Sequence, residues 1–158
     1  MIEGDQPIQV LAAAFTKQKA SMLGALSMAT TARIMKAKQK AVLGGPAASV
    51  RTKNKTPAFL FYAPEGFSPT DYWAVKLEKK GNSREAVVGA MGTAGASGGF
   101  GDKNILKFAS EKAAPRRYLI KFEAEISSGE YCFYPASALQ VTGEAVTSFG
   151  RLYDFGID

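Results

Sequence analysis

Apolar and polar residues alternate along much of the C-terminal two thirds of the chain, and a period of two predicts β-strands. The residues that share the apolar face of the stretch 117–126 are Tyr118, Ile120, Phe122, Ala124 and Ile126. The opposite face carries charged residues, with Leu119 as the exception. This arrangement is typical of an antiparallel sheet with one buried and one solvated face.

The apolar run from Ala58 to Tyr62 lies between Pro57 and Pro64. The run is too short for a helix and carries no charge, so it predicts a short strand buried on both faces. Its flanking prolines mark the places where the strand should begin and end.

Residues 72–78 alternate, with Trp73 and Leu77 on the apolar face and Tyr72 on the other face. A short turn containing Gly-Asn separates them from a second strand-like run at 84–89. Two such runs joined by a Gly-containing turn predict a β-hairpin. The Trp73 face is the one that we expect to be buried.

Positive charge collects in the N-terminal third, because residues 1–58 hold nine of the 20 Lys and Arg residues and only two of the 14 acidic residues. Strands at 34–43 and 48–53, joined by a Gly-Gly-Pro turn, predict a hairpin with a basic face. The contact residues predicted along it are Lys36, Lys38, Lys40, Arg51, Lys53 and Lys55. Such a row suits a protected sheet edge, or contact with another copy, an anionic polymer or a nucleic acid.

Strand candidates separated by short Gly, Pro and Ser turns predict a mainly-β fold, either an antiparallel β-sandwich or a Greek-key barrel. Residues 1–33 predict an N-terminal lead with a short helix in 20–33, and residues 34–158 predict a single β-domain. The Gly-rich stretch 89–101 predicts a long connection, because its spacing fits neither a P-loop nor a dinucleotide-binding fingerprint.

Composition limits the chemistry that the chain can perform, because it has no His and one Cys. These counts exclude a Ser-His-Asp triad, a Cys-His pair and a zinc site built on imidazole. Cys132 lies in a strand-like run and is expected to be a small buried hydrophobic residue. Glu123 and Glu125 share the solvent face of their strand, outside any cleft suited to paired carboxylates. We therefore expect no enzyme, no cofactor and no metal site.

Two other groups of residues are candidates for ligand contact. Tyr62, Phe67 and Tyr72 could form an aromatic platform for a sugar, although core packing is the default for such residues. Arg116 and Arg117 could hold a carboxylate or a phosphate. Adjacent residues of a strand point to opposite faces, so we do not expect the two arginines to grip one ligand.

Short motifs follow one another in a fixed order, beginning with TPAFLFYAPEG at Thr56 and continuing with DY, RE, SGG, APRRY, GEY and GRLYDF. In this order they resemble a family of uncharacterised bacterial proteins that often carry an export signal ahead of the domain. The resemblance covers about two thirds of the chain, from residue 50 onward. It implies a β-rich domain and export, and it supplies no activity and no catalytic residue.

The sequence therefore predicts a non-catalytic structural or binding module of the bacterial envelope or extracellular space, with the basic N-terminal segment as its contact surface. The alternative is a protein that binds nucleic acid or another anionic polymer through 33–55. A second copy or another protein is the expected partner. No apolar run approaches the ~20 residues of a membrane-spanning helix. The acidic and polar start of the chain lacks the pattern of a signal peptide, so a cytoplasmic location is expected unless an export signal has been removed.

Overall fold

The computed structural model describes residues 13–15, 17–20, 37–63, 65–92, 95–98, 100, 102–142, 145–148 and 151–158. The described strands are β1 (Ala13–Phe15), β2 (Lys17–Ala20), β3 (Ala37–Gly44), β4 (Arg51–Thr52), β5 (Ala58–Tyr62), β6 (Tyr72–Lys80), β7 (Ser83–Gly92), β8 (Gly95–Gly98), β9 (Ile105–Leu106), β10 (Phe108–Ala114), β11 (Arg117–Phe122), β12 (Gly129–Pro135), β13 (Leu139–Thr142), β14 (Ala145–Ser148) and β15 (Arg151–Ile157). The described helical elements are one-turn 3₁₀ helices at Pro69–Asp71, Asp102–Asn104 and Ala136–Ala138. The prediction of a mainly-β fold is confirmed.

A large sheet follows the order β1-β15-β12-β6-β7-β3-β2. Three short strands pair with members of this sheet outside that order: β4 with β15, β8 with β7 and β9 with β6. A second sheet has the order β10-β11-β5, and β13 and β14 form a separate hairpin. Pairing is antiparallel except between β4 and β15, which run parallel. The described strands follow open paths, so they close no barrel, and they fit the β-sandwich prediction instead.

Strand β6 connects two halves of the large sheet. Its first six residues pair with β12, whereas Glu78–Lys80 pair with β7. A two-residue turn follows, and Gly81 occupies its first position with φ 58°. Glycine suits this position because a hairpin turn of this length needs a positive φ there. The predicted hairpin is confirmed, but β6 and β7 pair with each other only next to the turn. Because the rest of β7 is not paired with β6, β7 and β3 can pack over one face of β6, β12 and β15.

The start of β6 is set by a capped 3₁₀ turn. The Ser68 hydroxyl accepts a hydrogen bond from the Thr70 amide at 3.2 Å, and Asp71 Oδ2 accepts one from the Ser68 amide at 2.7 Å. The Ser68 side chain also accepts a bond from the backbone of Asp71, so Ser68 and Asp71 form a capping box, and Pro69 supplies the φ that a first helical position favours. The turn delivers the chain into β6 at a defined residue.

The small sheet packs on one face of β6, β12 and β15, and aromatic rings fill the space between them. Phe133 is 2% exposed, and its ring centroid lies 5.4 Å from that of Phe59, 6.1 Å from that of Phe122 and 5.6 Å from that of Phe155. Rings at these separations gain more than their buried area alone provides. This aromatic core joins the two sheets.

The opposite face of β6, β12 and β15 packs against β3 and β7. Val75, Cys132 and Leu152 from the central strands meet Leu43 and Val88 from the covering strands. Because neighbouring residues of a strand point to opposite faces, these three strands are buried on both sides and form the middle layer of three.

Several strand predictions are confirmed in detail. Ile120 of β11 is buried and Phe122 is half-buried on the aromatic side, although the strand ends at Phe122 rather than at 126. Phe155 and Ile157 of β15 share the predicted apolar face. Cys132 is 1% exposed, as predicted.

The predicted hairpin spanning 34–53 is wrong. Strand β3 pairs with β7 and β2, whereas β4 pairs with β15. The turn between them is held by Arg84, whose Nε and Nη2 donate to the carbonyls of Gly45 and Gly44 at 3.1 and 3.0 Å. This attachment directs the chain toward β15 instead of back along β3.

Two burial predictions also need correction. Ala58–Tyr62 is a strand, but its exposed and half-buried residues alternate, because β5 is an end strand of the small sheet and only one of its faces is covered. Tyr72 is only 8% exposed although it was assigned to the polar face. Strand β6 is covered on both faces, so period-two alternation does not separate inside from outside there.

The Gly-rich stretch contains strands where a long connection was predicted. Strand β7 continues to Gly92 and pairs with Gly95–Gly98 of β8. The predicted N-terminal helix in 20–33 lies outside the described residues, apart from Ala20 at the end of β2. Strands β1 and β2 pair with β15 and β3, so these parts of the lead belong to the large sheet.

Candidate functional site

The structure describes only part of the predicted basic row. Lys36 lies outside the described residues, and Lys38 lies in β3 opposite Ala90 of β7. Lys40 Nζ donates to Glu85 Oε2 at 2.8 Å. Strand β3 pairs with β7 on one side and, at residues 39–42, with β2 on the other, so the interpretation of this row as protection of a sheet edge is wrong for Lys40.

The second half of the predicted row is divided between an ion network and solvent. Arg51 Nη1 donates to Glu130 Oε1 at 2.6 Å, and its Nε and Nη2 donate to Asp158 Oδ1 at 2.8 and 2.6 Å. Lys53 and Lys55 are exposed on the segment between β4 and β5. The structure therefore commits Arg51 to internal contacts and leaves Lys53 and Lys55 accessible.

The ion network continues into the protein. The Glu130 side chain is fully buried, and its Oε2 accepts a hydrogen bond from the Ala48 amide at 2.7 Å and lies 3.6 Å from Arg84 Nη1. Arg84 also donates to Asp154 Oδ2. Three anions alternate with two cations from Asp154 to Asp158, and Lys79, whose Nζ lies 3.4 Å from Glu130 Oε1, supplies the third cation. Buried charges persist when they are paired and hydrogen-bonded in this way.

Hydrogen bonding changes the acid-base behaviour at the outer end of this network. Hydrogen bonds from the side chain of Arg51 lower the pKa of Asp158, and the bond to Asp158 followed by the bond to Glu130 raises the pKa of Arg51. Gly156 fits beneath the same guanidinium group, because a Cβ there would collide with it. The network attaches β4, through Arg51, to Glu130 of β12 and to Asp158 at the end of β15, which is a structural role.

Sequence reasoning missed this network, although a signal for it exists. Glu130 and Asp154 interrupt strands that otherwise carry apolar residues on the face toward β7. A carboxylate on a buried strand face requires a cation close by. The cations, Arg51 and Arg84, are 79 and 46 residues before Glu130 along the chain, so only the fold identifies them.

An open groove of about 290 Å³ lies beside the start of β6 and the strands β9 and β10. Tyr72, Trp73 and Phe108 contribute apolar surface, and Lys107 and Glu123 contribute charge. Burial raises the pKa of the Tyr72 hydroxyl. Among the described lining residues Glu123 is the one carboxylate, whereas glycoside hydrolysis commonly uses two.

The predicted aromatic platform is not assembled. Tyr72 is buried, with its ring centroid 4.9 Å from that of Phe61 in the core. Tyr62 and Phe67 are 59% and 42% exposed. The platform prediction is therefore wrong for Tyr72, while the other two rings remain accessible.

The outer face of the small sheet exposes apolar side chains. Leu60 is 44% exposed and Tyr62 is 59% exposed, and they alternate along β5 with the inward-facing Phe59 and Phe61. The Arg116 guanidinium carbon lies 5.1 Å from the centroid of the Tyr62 ring. Sequence reasoning missed this face because an unbroken apolar run also fits burial on both sides. The flanking prolines were the available signal, because proline favours edge strands.

Within the described residues, no group of three or more Cys, Asp and Glu side chains is placed to hold a metal ion. Burial raises the pKa of the Cys132 thiol, and a thiol that stays protonated is a poor nucleophile.

Comparison of the chain with protein-family models, with curated proteins and with solved structures gave no match. In the part of the chain that the structure describes, no helix is long and apolar enough to span a bilayer. Function has to be inferred from the surfaces and side chains described above.

Proposed function

We propose that this protein is a non-catalytic structural or binding module that pairs through β5 with a second copy of the same chain. The observation that carries the proposal is a difference between the two end strands of the small sheet, β5 and β10. Both strands have an unpaired side among the described strands, but only one of them is protected.

Strand β10 has features that prevent pairing with another chain. Glu111 and Lys112 are exposed in its middle, and the pairing with β11 is interrupted by a register shift between Lys112 and Ala114. Charged side chains and bulges are common means of blocking an exposed edge.

Strand β5 has none of these features. Its five residues carry no charge, and all of them pair with β11 without a register shift. Leu60 and Tyr62 also present large apolar side chains to solvent. A flat, uncharged, apolar edge is a template for another strand. Its presence beside a protected edge in the same sheet indicates that β5 is covered in the functional state.

The residue pattern of β5 favours a second copy as the occupant. Phe59 and Phe61 flank Leu60 symmetrically, so antiparallel pairing centred on Leu60 places Phe59 of one copy opposite Phe61 of the other. The exposed Lys55 precedes the strand and the exposed Glu65 follows it, so the same pairing brings opposite charges toward each other. A two-fold interface requires self-complementarity of this kind.

We expect this association to be weak and dependent on concentration. Five paired residues provide less contact than the standard interface of about 1,600 Å². The resemblance of the C-terminal two thirds to exported bacterial proteins supports a role at or beyond the bacterial envelope.

Sedimentation equilibrium over a range of concentrations tests the proposal, with Leu60→Lys as the blocking variant. Ala109→Lys is the matched control, because it places the same charge on the exposed face of the other end strand. We expect the wild type and Ala109→Lys to approach the dimer mass, and Leu60→Lys to remain monomeric. A wild type that stays monomeric at about 1 mM, which corresponds to a binding free energy near 4 kcal/mol, would overturn the proposal. Dimerisation of Leu60→Lys would do the same.

Binding of a nucleic acid or another anionic polymer is the second candidate, because Lys53 and Lys55 are exposed and adjacent in one segment. Titration with labelled DNA and RNA tests it in the wild type and in the Lys53→Ala/Lys55→Ala variant. This function requires binding at low salt that weakens with added salt and with the double substitution. Absence of binding at low salt rules it out.

A further inference from the structure

The turn that joins β10 to β11 has an unusual residue at its second central position. Ala114 pairs with Arg117, so Pro115 and Arg116 form the turn. Arg116 has φ 60°, and it is the one described residue other than glycine with a positive φ. Glycine or asparagine normally occupies this left-handed position, because a larger side chain makes it unfavourable. Unfavourable backbone of this kind concentrates at functional sites.

The left-handed backbone places the Arg116 side chain over Tyr62. The guanidinium carbon lies 5.1 Å from the ring centroid, and Nε donates to the carbonyl of Ala63 at 3.2 Å. The Ala63 amide in turn donates to the carbonyl of Arg116 at 2.9 Å. These contacts use one edge of the guanidinium group and one face of the ring. Within the described residues, no hydrogen bond uses the two terminal nitrogens of Arg116, so the outer edge of its guanidinium group is open to a ligand.

Arg117 is a neighbour of the same ring. It pairs with Tyr62 across β11 and β5, and paired residues of adjacent strands point to the same face. Both arginines and Tyr62 are exposed. The two arginines therefore lie beside one accessible aromatic side chain.

The arrangement removes the basis of the prediction that Arg116 and Arg117 do not easily grip one ligand. That prediction assumed that both residues lie in a strand and point to opposite faces. Arg116 lies in the turn instead, and its positive φ brings its guanidinium group back toward the face that carries Arg117.

We propose that Arg116 and Arg117 bind an oxyanion, a phosphate, sulfate or carboxylate group, with Tyr62 contacting the flat apolar part of the molecule that carries it. None of the ion pairs between described residues includes either arginine. Guanidinium groups match the geometry of phosphate and carboxylate oxygens through paired hydrogen bonds. An exposed aromatic ring adds contact with a sugar or aryl group.

The test is a nuclear magnetic resonance titration of the full chain at low salt with inorganic phosphate, phenyl phosphate and glucuronate as probes. Arg116→Gly removes the guanidinium group and also relieves the left-handed backbone, so it should fold at least as well as the wild type. Arg117→Gln removes the second cation from an exposed strand position. Lys112→Gln is the matched control, because Lys112 is an exposed cation of the same hairpin that pairs with Tyr118 rather than lying beside Tyr62.

We expect phenyl phosphate or glucuronate to shift the backbone signals of the turn and to bind more tightly than inorganic phosphate. Arg116→Gly and Arg117→Gln should each weaken binding about tenfold or more, as expected for lost hydrogen bonds to a charged group. Lys112→Gln should change it less than about twofold. Absence of binding at about 10 mM of every probe overturns the proposal, as does equal weakening by Lys112→Gln, which would indicate general charge attraction. The titration is run at protein concentrations where the wild type is monomeric, so its outcome is independent of pairing through β5.

Discussion

The two faces of the middle layer are stabilised by different interactions, although the same three strands supply both. The face toward the small sheet is filled with aromatic rings, of which Phe133 is the most central. The face toward β7 combines aliphatic residues with the buried rings of Phe100 and Tyr134 and ends in the ion network of Glu130, Arg84 and Asp154. In β12 and β15, alternation sends one residue to packing and its neighbour to charge pairing, so these adjacent positions should respond differently to substitution and to pH.

The difference has a thermodynamic basis. Removing a buried ring loses transfer free energy and leaves a cavity, and this cost is nearly independent of pH. A buried ion pair contributes little net stability when it is complete, but removing one partner leaves the other charge desolvated and unpaired. The aromatic face should therefore be sensitive to volume, and the other face to the completeness of its network.

The largest effect is expected at the centre of the aromatic face. Phe133→Ala should lower the free energy of unfolding by about 3–5 kcal/mol, because the ring contacts aromatic residues of both sheets. Urea denaturation followed by far-ultraviolet circular dichroism measures this change. Phe67→Ala is the control, because Phe67 is 42% exposed and its removal should stay within about 0.5 kcal/mol. Equal effects of the two substitutions would contradict the assignment of the core.

A somewhat smaller effect is expected on the charged face. Arg84→Met should cost about 3 kcal/mol, because it leaves Asp154 and Glu130 without their shared cation. The same denaturation assay measures it, with Lys80→Met as the exposed control. Adding Asp154→Leu to Arg84→Met should cost less than the sum of the single changes, since the second substitution removes an unpaired charge. Strict additivity would show that the two side chains are not coupled.

Trp73 lies at the margin of the face toward β7, and its substitution tests how far that core extends. It is only partly buried, with its ring centroid 5.5 Å from that of Phe100. Trp73→Ala should cost about 2 kcal/mol, below the range for a fully buried aromatic residue. Circular dichroism is the appropriate measurement, because the substitution removes the chain's single tryptophan. A cost as large as that of Phe133→Ala would contradict the difference in burial.

The smallest expected effect is a pH dependence at the outer end of the ion network. Hydrogen bonds from Arg51 lower the pKa of Asp158 below its ordinary value of 3.8. The carboxylate therefore contributes stability above that value, and the contribution is lost as the pH falls through the lowered pKa of the folded state.

The measurement compares wild type with Asp158→Asn between neutral pH and pH values below 3.8. The wild type should be the more stable protein at neutral pH, and the difference should shrink toward acid. A difference that is unchanged at all pH values would show that the bond between Arg51 and Asp158 does not stabilise the fold. Phe133→Ala serves as the comparison, because its cost should vary little with pH.

Local pattern was a good guide wherever a strand has one covered face and one open face. Strand β11 follows this rule, since Ile120 is buried while Lys121 is exposed. The rule failed at Tyr72, because β6 is covered on both sides. It failed in the opposite sense at Leu60, because none of the described strands packs over the outer face of β5.

The candidate oxyanion site was predicted only as a pair of arginines. Their adjacency in the sequence suggested that the two side chains point to opposite faces of one strand. Only the backbone conformation shows that Arg116 is the last residue of the turn and that Arg117 is the first residue of β11. The aromatic partner, Tyr62, is more than fifty residues earlier in the chain, so no local pattern connects it with the arginines.

The amino-acid sequence by itself determined that this chain forms strands, where most of the turns between them lie, and that His-dependent chemistry is excluded. These properties depend on neighbouring residues, through side-chain alternation, turn preferences and composition. Only the tertiary structure decided which strands are buried on both faces, which cations pair with Glu130 and Asp154, and that β5 has an unpaired side among the described strands. Those outcomes depend on contacts between residues far apart in the chain. Alternation of apolar and polar residues distinguishes the two faces of a strand, but it does not specify which other strands cover each face.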